Sequence, residues 1–148
     1  MDNISLTENT QALQGQIESY WFENLNIGLK KTLFHRITVP IKPFDSGLDY
    51  VEQPEKTEFV FDWIKFPDKI DLANLNEVTL SSELIPDMET SIYLGSAHNI
   101  CSVLEMTLTK INQDSFMLKV NMEVDFKSEG VANTEFFNFE TELIRTES

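Results

Sequence analysis

A chain of 148 residues with 41% hydrophobic and 11% aromatic content carries enough apolar matter for one folded domain and is not a disordered polymer. Its formal charge of −14 disfavours nucleic acid and anionic membranes, whose phosphates would repel it. A single cysteine, Cys101, excludes an internal disulfide, and two histidines leave a zinc site short of its usual ligands.

No apolar run reaches the roughly 18 residues that span a bilayer. The start Met1-Asp2-Asn3-Ile4 has neither the cationic nor the apolar region of an export signal, so the expected location is a bacterial-type cytoplasm. The charge is uneven. Residues 30–42 hold Lys30, Lys31, Arg36 and Lys42 with no acid, whereas residues 43–100 carry a net −9. That basic cluster is short and lies within an acidic whole, which does not make a nucleic-acid surface.

Leu13, Ile17, Tyr20 or Trp21, and Leu25 recur at close to 3.6 residues and predict a helix over 9–26, with Gly28 as its stop. Gly15 inside it costs about 1 kcal/mol relative to Ala. Residues 32–41 read as a strand, with Leu33, His35, Ile37, Val39 and Ile41 on one face. His35 is accordingly a core or rim histidine rather than a catalytic base, and Pro40 marks an edge or an end.

Residues 43–57 form a long, acidic, turn-rich connection in which Tyr50 stands between Asp49 and Glu52. The run 57–66 is apolar on both faces, interrupted by Asp62, and predicts a central strand. Short strands are expected at 77–81 and 90–95, with 96–99 as a loop.

The clearest pattern follows. Leu104, Met106 and Leu108 alternate with polar residues. So do Phe116, Leu118, Val120, Met122, Val124 and Phe126, and then Phe137, Phe139 and Leu143. This predicts a three-stranded antiparallel meander. Side-chain parity requires an odd number of residues between its first two strands and an even number, or a bulge, between the last two. It also sends Glu105, Glu123, Asp125, Glu140 and Glu142 to one outward face, with Lys119 as their main counter-charge.

The sequence has no phosphate-binding glycine loop, no paired metal ligands and no nucleophile elbow, so no catalytic residue, metal or cofactor is expected. His98 and Cys101 lie too close in sequence for a dyad assembled in space. The predicted fold class is α+β: an N-terminal helix packed on a mainly antiparallel, curved sheet that ends in the meander, all in one domain.

A small, acidic chain of this kind, without catalytic motifs, resembles the immunity proteins of bacterial toxin systems, including contact-dependent inhibition. The resemblance covers composition and architecture and transfers no residue. It implies a non-enzymatic inhibitor that captures a basic toxin domain such as a nuclease, with neither nucleic acid nor membrane as partner. The candidate contacts, read from charge, are Asp45, Asp49, Tyr50, Glu52 and Glu55 in the loop, and Glu105, Glu123, Asp125, Glu140 and Glu142 on the sheet. Two alternatives stand beside it. One is a nuclear-transport-factor-like domain whose sheet encloses a pocket, with Asp62, Glu123 or Asp125 as acid or base. The other is an accessory interaction domain that uses its edge strands.

Overall fold

In the computed structural model, which describes residues 2–146, the chain forms eight strands. They are β1 (Gly15–Asn24), β2 (Leu29–Pro40), β3 (Glu58–Ile64), β4 (Glu77–Leu80), β5 (Glu89–Leu94), β6 (Ala97–Asn112), β7 (Ser115–Val124) and β8 (Glu135–Arg145). The one α-helix among the described residues, α1 (Leu6–Asn9), is four residues long.

The strands run side by side in the order β4-β6-β5-β3-β2-β1-β8-β7, and β7 pairs back onto β6. Seven strands therefore close into a barrel, while β4 lies outside the ring on the edge of β6. All pairings are antiparallel except β1 with β8, which run parallel through Gly15–Ile17 and Leu143–Arg145. At this seam a Cβ on residue 15 would stand 2.5 Å from the Thr38 carbonyl oxygen and 2.8 Å from Leu143, so the close approach requires Gly15.

The α+β expectation is thus overturned: among the described residues the one helix is the four-residue α1, and the segment expected to pack on the sheet as a helix is itself a strand. Within residues 9–26, Gly15–Asn24 form β1, followed by a 3-10 turn (Leu25–Ile27) that Gly28 ends at φ 74°. The apolar spacing fits a helix, but Ile17, Tyr20, Trp21 and Phe22 are β-branched or aromatic and pack better on a pleated surface. The long-range partners Gln16↔Thr38 through Asn24↔Leu29 settle the competition.

The meander forms as expected, but its first connection holds an even number of residues, two, where an odd number is expected, and a bulge makes up the difference. Between β6 and β7 the turn itself is only Gln113-Asp114, and the odd residue is Ile111, set in a bulge. The β7–β8 connection spans residues 125–134, an even number. Leu104 departs from the expected alternation. It falls in a second β6 bulge between Val103 and Glu105 and is exposed, so the buried face changes from odd to even residues there. The loop expected at 96–99 shrinks to Gly95-Ser96, both at positive φ as a tight two-residue hairpin turn requires, with His98 and Asn99 already in β6.

β3 is central, between β2 and β5, but its two faces change over at a bulge in which Asp62 and Trp63 oppose Arg36. Phe59, Phe61 and Ile64 consequently face the interior, and Trp63 is held outside at φ 58°. A bulky residue in that region costs about 1–3 kcal/mol. The Asp62 carboxylate holds the bulge by accepting the Trp63 amide at 2.7 Å.

Apolar side chains fill the barrel. Phe59, Phe61, Phe116 and Phe126 are among the largest fully buried. One end is closed by Ile4 and Leu6 of the N-terminal segment, Phe44 and Leu48 of the 43–57 loop, and Val131 of the 125–134 loop. Leu72, Leu75, Ile85 and Met88 from the irregular 65–88 stretch join the same core. His35 lies in that core, stacked on Phe66 at 4.1 Å with Nδ1 2.8 Å from the Ser19 hydroxyl, as a core histidine should be. Among the described residues no carboxylate is fully buried, so the interior offers no support for the enclosed acid–base pocket.

The β1–β2 hairpin outruns its neighbours. β8 accompanies β1 only to Ile17, and β3 meets β2 only from His35 onward. Residues 21–33 therefore form an arm with no flanking strand, on which Trp21, Leu25 and Ile27 are 61%, 69% and 72% exposed.

Candidate functional site

The outward residues of β4, β6, β7 and β8 form a grid. Across the strands, Glu105 faces Asn121 and Asn138, Thr107 faces Lys119 and Glu140, and Thr109 faces Met117 and Glu142. β4 adds Glu77 beside Thr109 and Thr79 beside Thr107. The curvature of these strands leaves an open groove of about 770 Å³ whose wall includes Glu77, Glu105, Glu140, Lys119 and Met117.

The carboxylates of this face are not neutralised locally. Both close ion pairs among the described residues belong to Arg36, which binds Glu18 and Asp62 at 3.0 Å each. Glu140 stands opposite Lys119 without closing a bridge, and Glu77 accepts only a long hydrogen bond, 3.3 Å, from Thr109. Neutral residues separate the acids across the grid, which avoids direct like-charge opposition while keeping the summed negative field. Such a surface attracts cations and basic side chains. It contains no histidine, no cysteine and no buried carboxylate with which to move a proton.

The expected site residues divide into three sets. Glu105 and Glu140 line the groove; Glu123, between Ser102 and Phe136, and Glu142, which accepts the Gln14 amide at 3.5 Å, extend the same face. Asp125 lies beyond the strand end. It accepts the Ser128 hydroxyl at 2.6 Å, the Ser128 amide at 3.0 Å and the Thr134 hydroxyl at 3.2 Å, bonds that hold its pKa below the usual carboxylate value. It is a turn residue.

The 43–57 loop forms a separate surface. Asp45 accepts the Gly47 amide at 2.8 Å within its own turn, and Glu55 accepts the Gly95 amide at 2.9 Å. Tyr50 is 58% exposed, and its hydroxyl donates to the Gly95 carbonyl at 3.3 Å. Asp49 and Glu52 are exposed, and Tyr50, Glu52 and Glu55 share a second concavity with Tyr93. None of these loop residues lines the groove, so the structure presents two acidic surfaces rather than one.

Sequence reasoning missed Glu77, which opens the short strand expected at 77–81, because the sequence does not reveal which strand it pairs with. Only the β4–β6 pairing brings it to the groove. It also missed the base of the arm. There Tyr20, Phe22, Phe34 and Trp63 pack together at centroid distances of 5.1–5.9 Å, and the Tyr20 hydroxyl donates to Asp62 at 2.6 Å. Burial, together with Asp62, raises the Tyr20 pKa. The Arg36 guanidinium lies 5.0 Å from the Tyr20 ring centre and completes the cluster.

His98 and Cys101 do not meet. Strand alternation puts His98 outside and Cys101 inside, where burial pushes the thiol up to about 12. Among the described residues no group of three or more His, Cys, Asp or Glu side chains is placed to hold a metal ion. No described helix is long and apolar enough to cross a membrane. No protein-family model matches the chain, and neither curated proteins nor solved structures include a significant match to it.

Proposed function

We propose that the chain is a non-enzymatic binding protein that captures a basic protein surface on the outer face of β4, β6, β7 and β8, acting as the immunity partner of a cationic toxin domain. The observation that carries this reading is the groove itself. Glu77, Glu105 and Glu140 converge on it around a single cation, Lys119, and none of the three is neutralised by a close ion pair among the described residues. Complementary fields of this kind accelerate encounter and select partners by charge. A packed interior and an open groove favour recognition over turnover. The 43–57 loop, with exposed Asp49, Tyr50 and Glu52, supplies a second contact of the same sign.

The test is co-expression with a toxin domain encoded beside this gene. The wild-type chain is expected to restore growth, and Glu77→Lys, Glu105→Lys and Glu140→Lys together to abolish rescue while leaving the circular dichroism spectrum unchanged. Rescue by the folded triple variant, or the lack of any neutralised neighbour, would overturn the proposal.

A further inference from the structure

Every junction of the barrel ring is an antiparallel ladder except the seam between β1 and β8, which is parallel and also the shortest, Gly15–Ile17 against Leu143–Arg145. Parallel pairing is slightly the weaker kind per residue. From Glu135 to Glu142, β8 runs ahead of this seam with β7 on one side and no strand on the other. The stretch before β1 takes the place of one.

Residues 11–13 of that stretch are stitched to the end of β2 through the backbone. The Leu13 amide donates to the Pro40 carbonyl at 2.8 Å, and the Lys42 amide donates to the Gln11 carbonyl at 2.9 Å. Toward β8 the attachment is made mostly by side chains. The Thr141 hydroxyl donates to the Leu13 carbonyl at 2.7 Å, and the Gln14 amide reaches Glu142 at 3.5 Å. Both oxygens of Glu135 accept the Leu6 amide at 3.0 Å, and the Asn133 side chain donates to that of Asn3 at 2.8 Å. A single backbone bond, from the Asn133 amide to the Asp2 carbonyl at 2.8 Å, accompanies them among the described residues.

Residues 2–9 contribute two side chains to the core, Ile4 and Leu6; the others in this stretch are exposed or half-buried. β7 alone buries Phe116, Leu118, Val120, Met122 and Val124. Local opening costs what it uncovers and unbonds, so this stretch detaches far more readily than a barrel strand. Its closed form is also strained, because Ser5 sits at φ 57°, in the left-handed region that non-glycine residues enter at a cost.

We propose that residues 2–9 form a gate over the β1–β8 seam, a strap that swings open about Thr10 while the barrel strands stay paired. Opening withdraws Ile4 and Leu6 from the closed end of the barrel and bares the core between β8 and the end of β2. Thr10 is the hinge: its hydroxyl is bonded to the Lys42 carbonyl, residues 11–13 remain tied to β2, and its own backbone is extended. Glu135 is the latch, since its carboxylate holds the Leu6 amide beside the buried Leu6 side chain. The four-residue α1 within the strap is too short to persist once detached.

Native-state hydrogen exchange of the full chain, followed by NMR in low urea, tests this. The amides of Leu6, Asn9 and Thr10 are expected to exchange at least about tenfold faster than those of Leu118, Val120 and Met122, and with little urea dependence. Asn3→Cys with Asn133→Cys, oxidised to a disulfide, should slow the strap amides at least about tenfold, and reduction should reverse this. Glu135→Ala should speed them about tenfold, with the β7 amides changing less. The β7 amides report in the same spectra that each variant is folded. Strap amides that share the rate and urea dependence of β7 overturn the proposal, because the strap then unfolds only with the barrel. Strap exchange that neither the closed disulfide nor Glu135→Ala alters overturns it as well.

Discussion

Inside the barrel, β1 and β2 bury Ile17, Ile37 and Val39 completely; past the barrel, β1 leaves Trp21 in water, and the 3-10 turn joining the two strands leaves Leu25 and Ile27 there. The hydrogen-bonded ladder runs through both regions, so backbone pairing is not what separates them. The difference is an opposite wall. Ile37 pairs with Phe61 across the β2–β3 ladder and joins a core to which every barrel strand contributes, while the arm beyond His35 has only the cluster at its base. The comparison teaches that apolar content in this chain serves two ends: the core holds the fold, and the arm tip does not.

Core truncation should give the largest effect. Phe61→Ala removes a fully buried ring from the middle of the barrel and should cost about 3–5 kcal/mol in urea denaturation, a large fraction of the 5–15 kcal/mol typical of a domain. A loss below about 1 kcal/mol would mean that the wall is not as closely packed as the burial indicates.

His35 marks the boundary between the two regions and should give an intermediate effect. Burial lowers its pKa from 6.5 to about 4, with Asp71 opposing and Arg145 reinforcing the shift. Between those values the unfolded chain binds a proton that the folded chain refuses. The stability due to this residue is therefore complete above about pH 6.5 and falls as pH drops toward 4, by roughly 2–3 kcal/mol. Comparing urea midpoints of wild type and His35→Gln at pH 7.5 and 4.5 isolates it. Equal pH dependence in the two proteins would count against a buried neutral imidazole.

The smallest effect belongs to the tip. Leu25→Ser and Ile27→Ser should each change stability by no more than about 0.5 kcal/mol, despite removing large apolar side chains. A loss comparable to that of Phe61→Ala would erase the distinction and make the arm part of the folding unit.

Much of the sheet could be read from the sequence because alternation is a local signal. The run Phe116–Val124 permits one pleat, and its parity placed Glu105, Glu123, Glu140 and Glu142 on the outer face. β1 could not be read in the same way, since its spacing fits a helix about as well as a strand and only its pairing with β2 decides. The bulges at Asp62-Trp63 and Leu104 shift the period by one residue, so the run 57–66, apolar on both faces, did not reveal which side chains of β3 turn inward, and Leu104 was placed inside. Asp45, Glu55 and Asp125 looked like surface charges but serve turns and backbone amides. The groove depended on Glu77 reaching β6, a pairing that the sequence does not reveal. Ring closure was not legible at all, because the pairing that makes it joins residues at opposite ends of the chain.

That seam also has a consequence for synthesis. Gly15 is made 128 residues before its partner Leu143, so the barrel cannot close until β8 has left the ribosome. Until then β1 and β7 each offer an open edge, a template for pairing with other nascent chains. A stop codon before β8 would therefore yield an aggregation-prone open sheet rather than a smaller barrel, and translation speed through the last strands becomes a determinant of yield.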